Sequence, residues 1–161
     1  MIIICDTSGL SALLRIDQLQ ILADLYGKVL IPPKVYEELL SLSELGVDVK
    51  KLDSLPWLSI HPISNFDLFN QLLLELDEGE SQAICLALEL NTDWLIIDEL
   101  DGREKARQLE IPIIGIGGVL VMAKKKGIIP SVKGILDRLR VEANFRLSEK
   151  IYQHLLRAAG E

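Results

Sequence analysis

The sequence predicts an α/β fold built on a parallel sheet, and three observations carry that prediction. The apolar runs Ile2-Ile3-Ile4-Cys5, Val29-Leu30-Ile31, Trp94-Leu95-Ile96-Ile97 and Ile113-Ile114 are too short for helices and lack the alternation of a half-solvated strand. Stretches of helical periodicity separate them. The joints between the two kinds of segment are short, which is the grammar of repeated strand-helix-strand units.

Taken in order, the first strand is expected over 2–5, with helices over 8–15 and 19–26 and a second strand over 29–31. A third helix opens at Pro33, where the missing amide of a proline costs nothing in the first turn. Residues 43–56 mix Gly46, charges and Pro56, and read as an irregular or partly helical connection into a short edge strand over 57–60. Helices over 66–76 and 79–90, a strand over 94–97, a helix over 102–109 and a strand over 113–114 come next. Helices over 117–126 and 132–140 complete a body that ends near residue 145, and a terminal helix is expected over 148–159. No repeat, low-complexity tract or linker divides the chain, so a single domain over 1–161 is expected.

Four acids stand where this pattern calls for apolar residues or strand ends: Asp6, Glu38, Glu80 and Asp98. Asp6 closes the first apolar run and Asp98 closes 94–97, so both belong at the carboxyl edge of a parallel sheet, where ligands bind. On the third helix, Val35, Leu39 and Leu42 form the buried stripe. Glu38 lies on its flank, and Glu37 points nearly opposite with Lys34 and Ser41. On the helix from Gly79, Glu80 shares a face with Ala83, Ile84, Ala87 and Leu88, while Ser81, Gln82 and Glu89 are expected outside. Taken singly, Asp6 also fits a helix cap, Glu80 a helix-dipole partner and Asp98 the start of a turn. Together they fit an ion site better, because Glu38 has no capping role. Two like charges about 4 Å apart repel by about 4 kcal/mol at an effective dielectric of about 20, and a divalent cation removes that penalty.

Composition narrows the function classes. Seventeen basic against 24 acidic residues give a formal charge of −7, which excludes a broad basic coat for nucleic acid but not a nuclease with local basic clusters. Such clusters are Arg103-Lys105-Arg107, Lys124-Lys125-Lys126 and Arg138-Arg140, each also readable as a solvated helix face. Cys5 and Cys85 have no CxxC spacing and read as buried thiols of a reducing compartment. Two isolated histidines, His61 and His154, argue against imidazole catalysis or a zinc cage. The longest uncharged stretch, 111–123, is short of the roughly 20 residues a membrane span needs, and no signal-peptide pattern opens the chain. A soluble cytoplasmic protein is expected, with no membrane partner.

The ordered segments Cys5-Asp6-Thr7-Ser8, Ile31-Pro32-Pro33-Lys34-Val35-Tyr36-Glu37-Glu38-Leu39, Leu76-Asp77-Glu78-Gly79-Glu80-Ser81-Gln82-Ala83-Ile84 and Leu95-Ile96-Ile97-Asp98, continued by 113–120, resemble the PIN domain family over residues 1 to about 145. The likeness is to the bacterial and archaeal branch grouped with VapC-type toxins. It implies a three-layer α/β/α fold with a central parallel sheet and an acidic pocket for Mg2+ or Mn2+ formed by Asp6, Glu38, Glu80 and Asp98. Thr7 or Ser8 matches the hydroxyl that orients a metal-bound water. The third acid departs from the commoner aspartate, which puts the number of metals in question. The implied activity is metal-dependent hydrolysis of RNA phosphodiesters, as the toxin of a toxin-antitoxin pair with a small antitoxin protein as partner. Arg103 and Lys124 are the candidates to hold the RNA backbone. PIN toxins commonly pair, and Leu19, Leu22, Ala23 and Tyr26 with Leu68, Leu72 and Leu73 offer apolar surface for a homodimer. The rival reading is a catalytically inactive PIN-like module that binds partners. Dinucleotide binding at Gly115-Ile116-Gly117-Gly118 lacks the third glycine and follows the wrong strand. An aspartyl-phosphate chemistry lacks the second acid after Asp6.

Overall fold

The computed structural model describes residues 1–161. In chain order the elements are β1 (Ile3–Cys5), α1 (Thr7–Arg15), α2 (Gln20–Tyr26), β2 (Val29–Ile31), α3 (Pro33–Ser41), β3 (Leu58–Ile60), α4 (Phe66–Leu72) and α5 (Glu78–Glu89). They continue as β4 (Trp94–Ile96), α6 (Leu100–Gln108), β5 (Ile113–Ile114), α7 (Ile116–Lys125), α8 (Val132–Glu142) and α9 (Glu149–Ala158). Two 3-10 turns, Leu42–Leu45 and Lys50–Ser54, fill the connection before β3.

All strand pairs are parallel and the sheet order is β3-β2-β1-β4-β5. Ile4 stands opposite Leu30 on one side and Leu95 on the other. The chain leaves β1 toward β2 and β3, then returns to place β4 on the other flank. The order therefore reverses between β1 and β4, and a crevice opens at their carboxyl ends.

Period-2 alternation on the two central strands builds two cores. Ile3, Cys5 and Ile96 face one, with Leu10, Leu13, Leu22, Val35, Leu39, Val119, Leu120, Leu136 and Leu155 from α1, α2, α3, α7, α8 and α9. Ile4, Leu95 and Ile97 face the other, with Leu72, Ala83, Ile84, Leu86 and Ala106 from α4, α5 and α6. Helices on both faces of a parallel sheet make the expected three-layer α/β/α arrangement. Ile4 and Leu95 are wholly enclosed, and truncating either to alanine is expected to cost about 2–5 kcal/mol.

The structure departs from the sequence reading in particular places. Helix α4 ends at Leu72 rather than 76, and α6 starts at Leu100 rather than 102. Ser81, expected outside, is completely buried, and Leu88, expected inside, is 37% exposed. Ser81 is covered because α5 packs against α3, α4 and α6 as well as the sheet, and Leu88 lies at the last turn of α5. The apolar residues offered for a dimer mostly serve the cores. Leu19, Leu22 and Leu72 are buried, Ala23, Tyr26 and Leu68 are partly buried, and only Leu73 is exposed. No helix is long and apolar enough to cross a membrane.

Candidate functional site

Two of the acids stand at the crevice of the β1/β4 switch. Asp6 is the first residue past β1, and its amide donates to the Ile96 carbonyl at 2.9 Å, which ties it to β4. Its side chain does not cap α1, and the residue is only 3% exposed. Asp98, two residues past β4, sits on the same edge. Its Oδ1 accepts from the Ile116 amide at 3.0 Å, while Oδ2 is buried with no hydrogen-bond partner.

The helix acids arrive from α3 and α5, which pack on each other. Thr7 Oγ1 donates to Glu38 Oε2 at 2.9 Å, so the hydroxyl after Asp6 orients the inward acid of α3. Glu37 is exposed and pairs with Lys34 at 3.5 Å, as the helical wheel required. Glu80, 8% exposed, lies in the first turn of α5, and its amide donates to Asp77 Oδ1 at 2.8 Å. Two glycines permit this closeness. A Cβ on Gly79 would collide with Glu38 Oε1, and one on Gly115 would lie 2.8 Å from Asp98 Oδ1.

Burial first, and neighbouring acids second, hold these carboxyls toward the neutral form. Burial raises Asp6 to about 8, with Glu80, Asp77 and Glu38 adding to it against the Thr7 amide. Glu80 rises to about 7 through burial and the charge of Asp77, with smaller pushes from Glu99 and Asp101. Burial lifts Asp98 to about 6 although the Ile116 amide and Arg103 favour its charge, and Glu38 is raised too, chiefly by burial. Asp77 is the member that the sequence reading missed. It touches the field of Asp6, Glu38 and Glu80 and caps α5. The signal was available: an Asp three residues before a Glu at a helix start is a capping-box spacing.

As the side chains stand, no three acids are gathered into a ligand set. The fit to a hard cation rests on all-oxygen donors, on carboxyls that burial pushes toward neutrality, and on the orphaned Asp98 Oδ2. Among the other expected site residues, Ser8 Oγ is buried without a partner, and Arg103 donates to the Ile97 carbonyl at 2.8 Å beside Asp98. Lys124 is not brought to the site. It lies in the last turn of α7, away from the Asp98 end, and pairs with Glu161 at 2.9 Å. A groove of about 920 Å³ leads away from Asp98 and Ser8 along α1 and the α8–α9 connection.

Comparison with known proteins adds three findings. A family model described as PIN domain matches residues 2–161. A solved structure, a PilT N-terminus domain protein from the hyperthermophilic archaeon Sulfolobus solfataricus P2, is similar in fold at 23% identity and a TM-score of 0.51, covering 74% of this chain and 90% of that one. The search of curated proteins returned no match.

Proposed function

The chain belongs to the PIN-domain family, a family of nuclease type, and from that premise we propose that it is a Mg2+- or Mn2+-dependent endoribonuclease acting at the Asp6-Glu38-Glu80-Asp98 pocket. The observation that carries the proposal is the placing of Asp6 and Asp98 at the sheet's switch point with Glu38 and Glu80 from the flanking helices, three of the four raised to about 6–8 chiefly by burial. Such a cluster is costly unless a cation or protons neutralise it. A bound divalent cation would supply charge neutralisation at the phosphoryl oxygens and a water of lowered pKa.

The chain's own residues then have separable parts. Thr7 positions Glu38 through its hydroxyl, Asp77 fixes the first turn that carries Glu80, and the Ile116 amide with Arg103 orients Asp98. Asp6 keeps its proton at neutral pH in the metal-free pocket and must release it when a cation enters, so metal uptake strengthens as pH rises. No histidine belongs to the pocket: His61 follows β3 and His154 is exposed on α9.

Biologically, we extend the reading to the toxin of a toxin-antitoxin pair, supported by the resemblance of the four motif segments to the VapC-type branch, with a small protein antitoxin as partner. Incubating the purified chain with single-stranded RNA in manganese tests the enzymatic reading. Cleavage that chelator abolishes supports it, and intact RNA under both conditions refutes it. A second reading, an inactive PIN-like module, is favoured by the acids not being gathered into a ligand set as they stand. Calorimetry with manganese separates the two, since the inert module binds none.

A further inference from the structure

We propose that the groove running from Asp98 along α1 and the α8–α9 connection is the seat of an RNA strand flanking the cut, held through Arg15, Arg103 and Arg146. This rests on the ribonuclease reading above and assigns the part of the surface that grips the substrate. The groove is bounded on one wall by Ser8, Ser11 and Arg15 of α1, and at its floor by Asp98, Arg103 and residues Ile113–Gly118. Its far wall is the α8–α9 connection with Phe145 and Arg146, then Ile151 of α9. At about 920 Å³ it has the size of a site for an extended ligand rather than a lone phosphate.

Charge decides the occupant. In a chain of formal charge −7, three arginines converge on this groove against two acids, Asp98 and Glu99. None of the three forms an ion pair, although Arg138 and Arg140 elsewhere on the surface do. Guanidinium groups free of ion pairs around a channel suit phosphates, which they bind in a planar, forked geometry. Apolar edges sit beside them: Leu100 is 81% exposed and Ile151 52% exposed, and Phe145 is half-buried in the wall. Phosphate-binding cations interleaved with apolar and aromatic surface are what a single strand with unstacked bases requires. The groove is lined at one end by Ser8 and Asp98, so it reaches the acid set at its Asp98 member. A strand lying in it would run past Asp98, the acid of the proposed pocket that the groove reaches.

The test uses the full chain carrying Asp6→Asn, which blocks cleavage, with manganese and a fluorescently labelled single-stranded RNA followed by anisotropy across a salt series. Adding Arg15→Ala and Arg146→Ala should weaken binding at least tenfold and reduce the slope of log affinity against log salt by about 1.4, or about 0.7 per lost phosphate contact. Lys125→Ala with Lys126→Ala, at the opposite end of α7, should change both far less. Circular dichroism melts establish that each variant is folded, and Arg→Gln at the same two positions repeats the comparison with the side chains' length kept. Equal binding by the arginine variant, or an equal loss in the lysine variant, overturns the groove while leaving the ribonuclease reading in place. Failure of the Asp6→Asn parent to bind RNA at all overturns both. Binding of an acidic peptide in preference to RNA would assign the groove to a protein partner and overturn the inference.

Discussion

Raising the pH of the metal-free protein should destabilise it, and Asp6 makes the largest single contribution. Asp6 is 3% exposed and its carboxyl rises from 3.8 to about 8 in the fold. A group whose folded pKa lies above its unfolded value binds protons more tightly in the native state. Its contribution is therefore complete below about pH 4, declines as pH rises, and is lost through about pH 8. At about 1.4 kcal/mol per pH unit this shift sets a ceiling of about 6 kcal/mol, and relaxation with water entry around the ionised carboxylate brings the expected loss to about 2–3 kcal/mol between pH 5 and 8.5. For a chain of 161 residues that is a fall in Tm of about 5–10 °C. The assay is thermal unfolding by circular dichroism in chelator across this window, wild type beside Asp6→Asn. The asparagine variant has no proton to lose at position 6, while Glu80 and Asp98 titrate in both proteins, so it should match wild type near pH 5 and exceed it increasingly toward pH 8.5. Manganese at a hundredfold excess over its Kd should return about 2.7 kcal/mol to wild type at the alkaline end. Parallel curves for wild type and Asp6→Asn would refute the claim that a buried, repelled carboxyl sits at the end of β1.

Other outcomes follow from the same geometry. Glu38→Gln should lower manganese-supported RNA cleavage at least a hundredfold in a gel assay, whereas Glu37→Gln, on the exposed face, should stay within about twofold; equal losses would contradict the helical-wheel assignment. Gly79→Ala places a methyl against Glu38 Oε1, so cleavage should fall at least tenfold while Tm shifts by only a few degrees; wild-type cleavage would show that this close approach does not matter. Light scattering at micromolar concentration should report twice the chain mass of 18.0 kDa if the homodimer expected from the family resemblance forms, and the monomer mass would rule it out.

The parts of this protein that were legible in its sequence are those set by local physics. The doubly buried strands could be read because Ile4 and Leu95 face one core while Ile3, Cys5 and Ile96 face the other, which leaves no polar position in the run. Glu38 was separable from Glu37 because α3 has one solvent face. The same wheel failed on Ser81 and Leu88 because α5 is enclosed by helices distant in sequence, and periodicity reports a boundary with water rather than with another helix. Lys124 looked like a phosphate ligand as part of a charge run, yet its partner Glu161 lies 37 residues away in the chain, where no local pattern could reveal it. The arginine groove was equally hidden, since Arg15, Arg103 and Arg146 come from three separate elements that only the finished fold brings together.

The most direct test of the account is to follow a defined single-stranded RNA with the wild-type chain in manganese and to analyse the product ends. The account predicts cleavage that chelator and Glu38→Gln both abolish, with no 2′,3′-cyclic phosphate among the products, because water rather than the ribose hydroxyl attacks phosphorus. Cleavage that persists in chelator, or products ending in cyclic phosphate, would contradict it.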